Sequence, residues 1–161
     1  MKTINKTMID HAVKIAREIK ANALLVCADV VSDVSLIMDE IEKDIAFIMV
    51  SREDESLSEE MKKDAKVLYI PNVNLTRVGI IKIAIAKGII LGALKRGDKV
   101  VCLSGVPKFG YADSIFVIDV GKEFEILTSD FINDVLENVR PEVFNAVLNI
   151  ALELAAQGRE S

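Results

Sequence analysis

The chain has 161 residues, 51% of them hydrophobic, with 25 acidic against 20 basic residues and a formal charge of −5. That length supports a single hydrophobic core burying roughly 70% of the surface the unfolded chain would expose, and a content of only three prolines argues against long disordered segments. The acidic balance, with no basic stripe, argues against general nucleic-acid binding, which rests on clustered Lys and Arg releasing counterions from phosphates.

The opening MKTINKTMID lacks the apolar core of a signal peptide, which predicts a cytoplasmic protein. From Thr3 to Lys20, Ile4, Met8, Ala12, Ile15 and Ile19 recur at helical spacing and predict an amphipathic helix covering a sheet; His11, the sole histidine, lies at the edge of that stripe. Ala23 to Ala28 is a short apolar run suited to a strand buried on both faces. A turn and a helix follow, with Ser32 or Asp33 as the capping residue. A second strand runs from Ile45 to Val50, after which Ser51 and Arg52 leave it together, in a position to hold an anion or to stand as solvated surface groups. After a loop and short helix, Lys66 to Ile70 is the third strand, closed by Pro71.

A long apolar helix is predicted from about Thr76 to Lys95, capped by Asn74 or Thr76 and ended by Gly97, with Gly88 and Gly92 on one face for close approach to the sheet. It contains the best membrane-spanning candidate, Val78 to Leu94, but Lys82 and Lys87 interrupt that run, so no membrane partner is predicted. Lys99 to Leu103 and Ser114 to Val120 read as strands joined by the Gly-rich loop Ser104 to Asp113. A loop this short cannot hold a crossover helix, so the second strand should return antiparallel. Cys27 and Cys102 fall inside apolar strands and suit buried thiols in a reducing compartment. EFEIL at Glu123 to Leu127, a helix near Asp130 to Glu137 and a final helix from Pro141 to about Gln157 complete the pattern, with Gly158 as the last helix's end. Phe144, Val147, Leu148, Ala151, Leu154 and Ala155 give that last helix an apolar face with no strand of its own to cover. Either the helix packs back on the domain, or it is the first element of something absent, in which case the stripe should be hidden on the α/β body or on a neighbouring copy, predicting a homo-oligomer.

Paired Cys/His metal spacing, a P-loop, a Gly-x-Ser-x-Gly elbow and a dinucleotide fingerprint are missing, and a single histidine argues against His-dependent triads and multi-histidine metal sites.

The order of these elements, with VSREDESLSEEMKKDAKVLYIP and GALKRGDKVVCLSGVPKFGYADSIFVIDV, resembles the C-terminal α/β domain of pyruvate kinase over about Ala21 to Val120. The fold expected is a three-layer αβα sandwich around a mixed, mostly parallel sheet of about five strands, the last antiparallel. The end of the chain, RPEVFNAVLNIALELAAQGRES, closely resembles the opening helix of the catalytic domain of archaeal diadenylate cyclases, whose N-terminal half is pyruvate-kinase-like. The resemblance implies that the parent enzyme joins two ATP molecules into cyclic di-AMP with Mn or Mg, through an Asp-Gly-Ala and an Arg-His-Arg motif. This sequence contains neither, and its only histidine, His11, is followed by Ala12.

The expected organisation is therefore a pyruvate-kinase-like domain over residues 1–128, then a helical linker and the first helix of a truncated diadenylate cyclase domain over 129–161. The chain is read as the regulatory and assembly part of such an enzyme, without catalytic residues, metal or cofactor of its own. Its partner would be the missing cyclase domain, reached through the 141–157 helix. In pyruvate kinase the matching loops hold a phosphorylated effector, which places a pocket for a small anionic ligand at Ser32, Ser51, Arg52, Ser104, Gly105, Lys108 and Gly110. Asp29 and Asp33 depart from that pattern, adding negative charge where it has small hydroxyl residues. The alternatives are a free-standing small-molecule or phosphate-binding protein of the same superfamily, and an enzyme using the loop carboxylates Asp29, Asp33 and Asp113.

Overall fold

The computed structural model describes residues 2–31, 33, 35–52, 57, 59–122 and 137–160. Five strands form one sheet: β1 (Ala23–Cys27), β2 (Ala46–Arg52), β3 (Lys66–Ile70), β4 (Lys99–Ser104) and β5 (Ser114–Asp119). Among the described residues, the helices that accompany them include α1 (Lys2–Glu18), α2 (Ser35–Met38), α3 (Glu59–Asp64), α4 (Arg77–Ile90) and α5 (Pro141–Glu160). The sheet order is β3-β2-β1-β4-β5, with β1 to β4 mutually parallel and β5 antiparallel to β4. Helices flank the sheet, with α1 against β1, β4 and β5, and α4 against β3 and β4.

The central strands are apolar on both faces because both faces are covered: every residue of β1 is buried, and β2 and β4 are buried after their first residue. β5, at the sheet edge, alternates more weakly and leaves Val117 exposed. The core runs from Ile9, Ala12, Val13 and Ala16 of α1 through the strands to Ile80, Ile81, Ala84 and Ile85 of α4. Lys87 of α4 is buried with them and meets its charge requirement in part by donating from Nζ to the Tyr69 carbonyl at the end of β3. No helix among the described residues is long and apolar enough to cross a membrane.

Several boundaries differ from the sequence reading. β2 runs two residues further than expected, because Ser51 and Arg52 continue the ladder opposite Tyr69 and Ile70 of β3. α2 is a single turn rather than a full helix. α4 stops at Ile90, well short of Lys95, and Gly92 lies beyond its end. Leu94 then folds back so that its amide donates to the Gly88 carbonyl at 2.9 Å, and a Cβ on Gly88 would sit 2.8 Å from the Leu94 side chain. Gly88 therefore makes room for this returning leucine, and Gly88 and Gly92 do not form a shared face against the sheet.

In α5 the helix continues through Gly158. Its expected single apolar face is divided: Phe144, Leu148 and Leu152 are half-buried, as are Asn145 and Asn149, while Val147 and Leu154 are exposed. The helix packs against α4. The expected elements at 123–127 and near 130–137 lie outside the described residues, except that 137 and 138 are helical.

Candidate functional site

The strand order reverses beside β1: β2 and β3 are added on one side, and the chain then returns to place β4 on the other. In open α/β sheets the crevice at the carboxyl ends of two such strands is where ligands bind. Here those ends are Cys27 of β1 and Ser104 of β4, whose side chains meet directly, Cys27 Sγ donating to Ser104 Oγ at 3.6 Å. Burial, above all, pushes the Cys27 thiol up to about 11, with the nearby Asp29 charge acting in the same direction. Cys102 is also buried and forms no disulfide. Thiolate is the reactive form, so neither cysteine of the folded protein should react appreciably with a thiol reagent at pH 8 within the time that fully labels the urea-unfolded chain. Rapid native labelling of Cys27 would contradict this packing.

Arg52, at the end of β2, is buried and directed inward. Its Nε donates to Asp29 Oδ2 at 2.9 Å, and Nη1 donates to the carbonyls of Pro71 at 3.0 Å and Val73 at 2.9 Å. Both side chains of the ion pair are less than one-tenth exposed. Asp29 Oδ1 is buried without a hydrogen-bond partner. The pair follows from strand register: β1 and β2 pair with an offset of 23, as in Cys27 opposite Val50, and the same offset sets Asp29 against Arg52. Three of the guanidinium's five N–H donors are thus engaged in joining β1, β2 and the segment after β3.

The β4–β5 connection is built on the same edge. Gly105 is buried, and a Cβ there would stand 2.4 Å from the Tyr111 carbonyl oxygen, so the two arms of the loop approach backbone to backbone at a position that only glycine fits. A short 3-10 turn, Pro107–Phe109, follows, and Gly110 reverses it at φ 71°. The Asp113 amide donates to the Ser104 carbonyl at 3.1 Å. Asn5 of α1 reaches into the same region, accepting from the Ala112 amide at 2.8 Å and donating to the Val30 carbonyl at 2.9 Å. Across the edge, Thr76 caps α4 by accepting from the Gly79 amide at 3.0 Å. The next residue, Arg77, forks onto Asp113, with Nε donating to Oδ1 at 2.7 Å and Nη2 to Oδ2.

The Arg77 guanidinium holds the Asp113 carboxyl below the usual carboxylate range against an opposing desolvation effect, and the Ser114 hydroxyl helps. A carboxylate with a depressed folded pKa adds stability above its unfolded pKa and loses it as pH falls through the folded value. Wild-type protein should therefore lose an increment of about 1 kcal/mol or less below about pH 4. Asp113→Asn should lack that acid-side step, as measured by urea unfolding at pH 7 and pH 3. An identical pH dependence in both proteins would refute the assignment.

The residues expected to form the site fall into two groups. Ser51, Arg52, Ser104 and Gly105 are buried where the strands end, whereas Lys108 and Gly110 are exposed on the tip of the β4–β5 loop. Ser32 lies outside the described residues. Sequence reasoning missed Asn5 and the Arg77–Asp113 clamp, whose partners are 107 and 36 positions apart. No local pattern signals them. Among the described residues, no group of three or more His, Cys, Asp or Glu side chains gathers as a metal site would require.

A mostly parallel sheet with an antiparallel edge strand and a switch point beside β1 gives the chain an α/β fold like that of the domain in pyruvate kinase. A crystal structure of pyruvate kinase from Cryptosporidium parvum superposes with a TM-score of 0.57 over 73% of this chain and 23% of that one, at 15% identity. The likeness is one of fold. Residues 5–128 match the family described as "Probable sensor domain DacZ_P", and the chain belongs to that family. It is also 24% identical to the diadenylate cyclase of Methanocaldococcus jannaschii, in a match covering 98% of this chain. The chain spans 57% of that relative's length.

Proposed function

We propose that this chain is the sensor and regulatory domain of a diadenylate cyclase, and that it makes no cyclic di-AMP by itself. The observation that carries the reading is the family match over 5–128, supported by the likeness to the Methanocaldococcus enzyme along nearly the whole chain. In this account the reaction of two ATP molecules with Mn or Mg belongs to a catalytic portion with the Asp-Gly-Ala and Arg-His-Arg motifs that this sequence does not contain. The protein would act in the cytoplasm and as a homo-oligomer.

The sensing edge is the carboxyl end of the sheet. The buried groups at Ser51, Arg52, Ser104 and Gly105 set its floor, Ser32 is assigned to it from the sequence alone, and Lys108 with Gly110 offers a small anionic ligand a positive charge and an open backbone. The output surface is α5. One side of this helix rests on α4, while Val143, Val147, Ile150 and Leu154, spaced four, three and four apart, are 43%, 58%, 58% and 62% exposed. An apolar stripe with that spacing suits a helix that docks on a partner, and the cyclase catalytic portion is the partner proposed.

Calorimetric titration with sugar phosphates and nucleotides at millimolar concentration tests the sensing edge. Saturable heat, abolished when Lys108 is replaced by Glu, is the expected result. Uniformly absent heat together with no thermal shift would count against a ligand site there.

A further inference from the structure

We propose that the 107–111 turn is a seat for a nucleotide, with the base against Phe109 and the phosphate at Lys108. The inference rests on the reading of the carboxyl edge as the ligand site and names the class of ligand.

Phe109 is 48% exposed although its own turn is hydrogen-bonded, the Phe109 amide donating to the Val106 carbonyl at 2.9 Å. Tyr111 backs its ring at a centroid distance of 6.2 Å and an interplanar angle of 22°. The turn is held by the Gly110 amide on the Pro107 carbonyl at 3.0 Å, and at its base by Asn5 and by the Arg77–Asp113 clamp. An aromatic ring fixed in place before its partner arrives loses little conformational freedom on binding. A flat ring is the partner that such a surface fits, because stacking on aromatic side chains needs only a π-face.

Charge gives the second half of the ligand. Two other cations near this edge are neutralised within the protein, Arg52 by Asp29 and Arg77 by Asp113. Lys108 adjoins Phe109, is exposed, and is paired with no carboxylate among the described residues. A ligand that uses both neighbours carries an aromatic base and a phosphate.

The test is amide chemical-shift titration of the 161-residue chain with AMP, adenosine and ribose 5-phosphate. AMP should shift the amides of 104–113 and bind about 10- to 100-fold more tightly than ribose 5-phosphate. Phe109→Ala, at an exposed position that leaves the core intact, should remove that advantage and leave ribose 5-phosphate unchanged, while Lys108→Gln should weaken both. Equal binding of AMP and ribose 5-phosphate, with Phe109→Ala indifferent, would overturn the base seat and leave the sensing edge standing. Adenosine binding as tightly as AMP would overturn the phosphate half. If no probe shifts 104–113, the seat and the sensing edge both fall.

Discussion

Arg52→Met is expected to lower stability by about 3–5 kcal/mol, because breaking a buried ion pair leaves one charge uncompensated. The charge left behind is Asp29, whose carboxylate is less than one-tenth exposed and already has one oxygen without a partner. The carbonyls of Pro71 and Val73 also lose the donors that Arg52 supplies. At about 2–4 °C per kcal/mol for a chain of this size, the melting temperature should fall by roughly 10 °C. The double variant Asp29→Leu with Arg52→Met should recover part of the loss, since an apolar pair in place of a buried ion pair is often neutral. Recovery should stay incomplete because the two carbonyls remain without that donor. A loss below about 1 kcal/mol for Arg52→Met, typical of a surface pair, would show that Arg52 is solvated and free for a ligand after all.

Gly105→Ala is the second large effect. The new methyl would stand 2.4 Å from the Tyr111 carbonyl oxygen and 3.2 Å from Ala112 Cα, both backbone atoms, and 3.2 Å from a methyl group of Val30. Backbone cannot turn aside as a flexible side chain does, so the arms of the β4–β5 loop must separate, at an overpacking cost of about 1–3 kcal/mol. Separation would also strain the Ala112–Asn5 and Asp113–Ser104 bonds and move the Phe109–Tyr111 pair. Gly110→Ala is the control. Its φ of 71° disfavours a side chain, but nothing lies within 4 Å, so the cost should be only about 1–2 kcal/mol and confined to the turn. Urea unfolding of both variants, with amide shifts to locate the disturbance, distinguishes a clash that spreads to α1 from strain that stays local. Wild-type stability for Gly105→Ala would mean that the loop arms do not touch.

The strands were legible because a parallel strand covered on both faces must carry an unbroken apolar run, as ALLVC does and as Val100 to Leu103 do within β4. The reversed last strand was legible from loop length alone. Helix ends were less so: α4 stops where Leu94 folds back onto Gly88, a contact that no periodicity contains. The charge pattern around the site was the most misleading feature. Arg52, followed by Glu53, Asp54 and Glu55, reads as surface, yet it is only 6% exposed. Its partner comes from β1, and only the strand offset of 23 brings Asp29 beside it. Once two neighbouring strands are placed in register, such a pair can be found from sequence. The Arg77–Asp113 and Asn5–Ala112 links have no comparable rule, because they join a helix start and a helix face to a loop whose path depends on the finished fold.

α5 illustrates a different limit. Its apolar residues were evident, but their division between α4 and solvent was not, because helical periodicity reveals a stripe without saying what covers each part of it. Val143 and Ile150, which complete the exposed stripe, gain their meaning only once Phe144 and Leu148 are seen to be half-buried on a helix that meets α4.

Under the proposed function, this domain regulates cyclic di-AMP synthesis without performing it. The most direct test is to incubate the purified 161-residue chain, and separately the product of the complete open reading frame, with ATP and MnCl2 and to assay both for cyclic di-AMP. Product is expected from the complete protein and none from the chain alone. Cyclic di-AMP made by the chain alone, or none from the complete protein, would contradict the proposal.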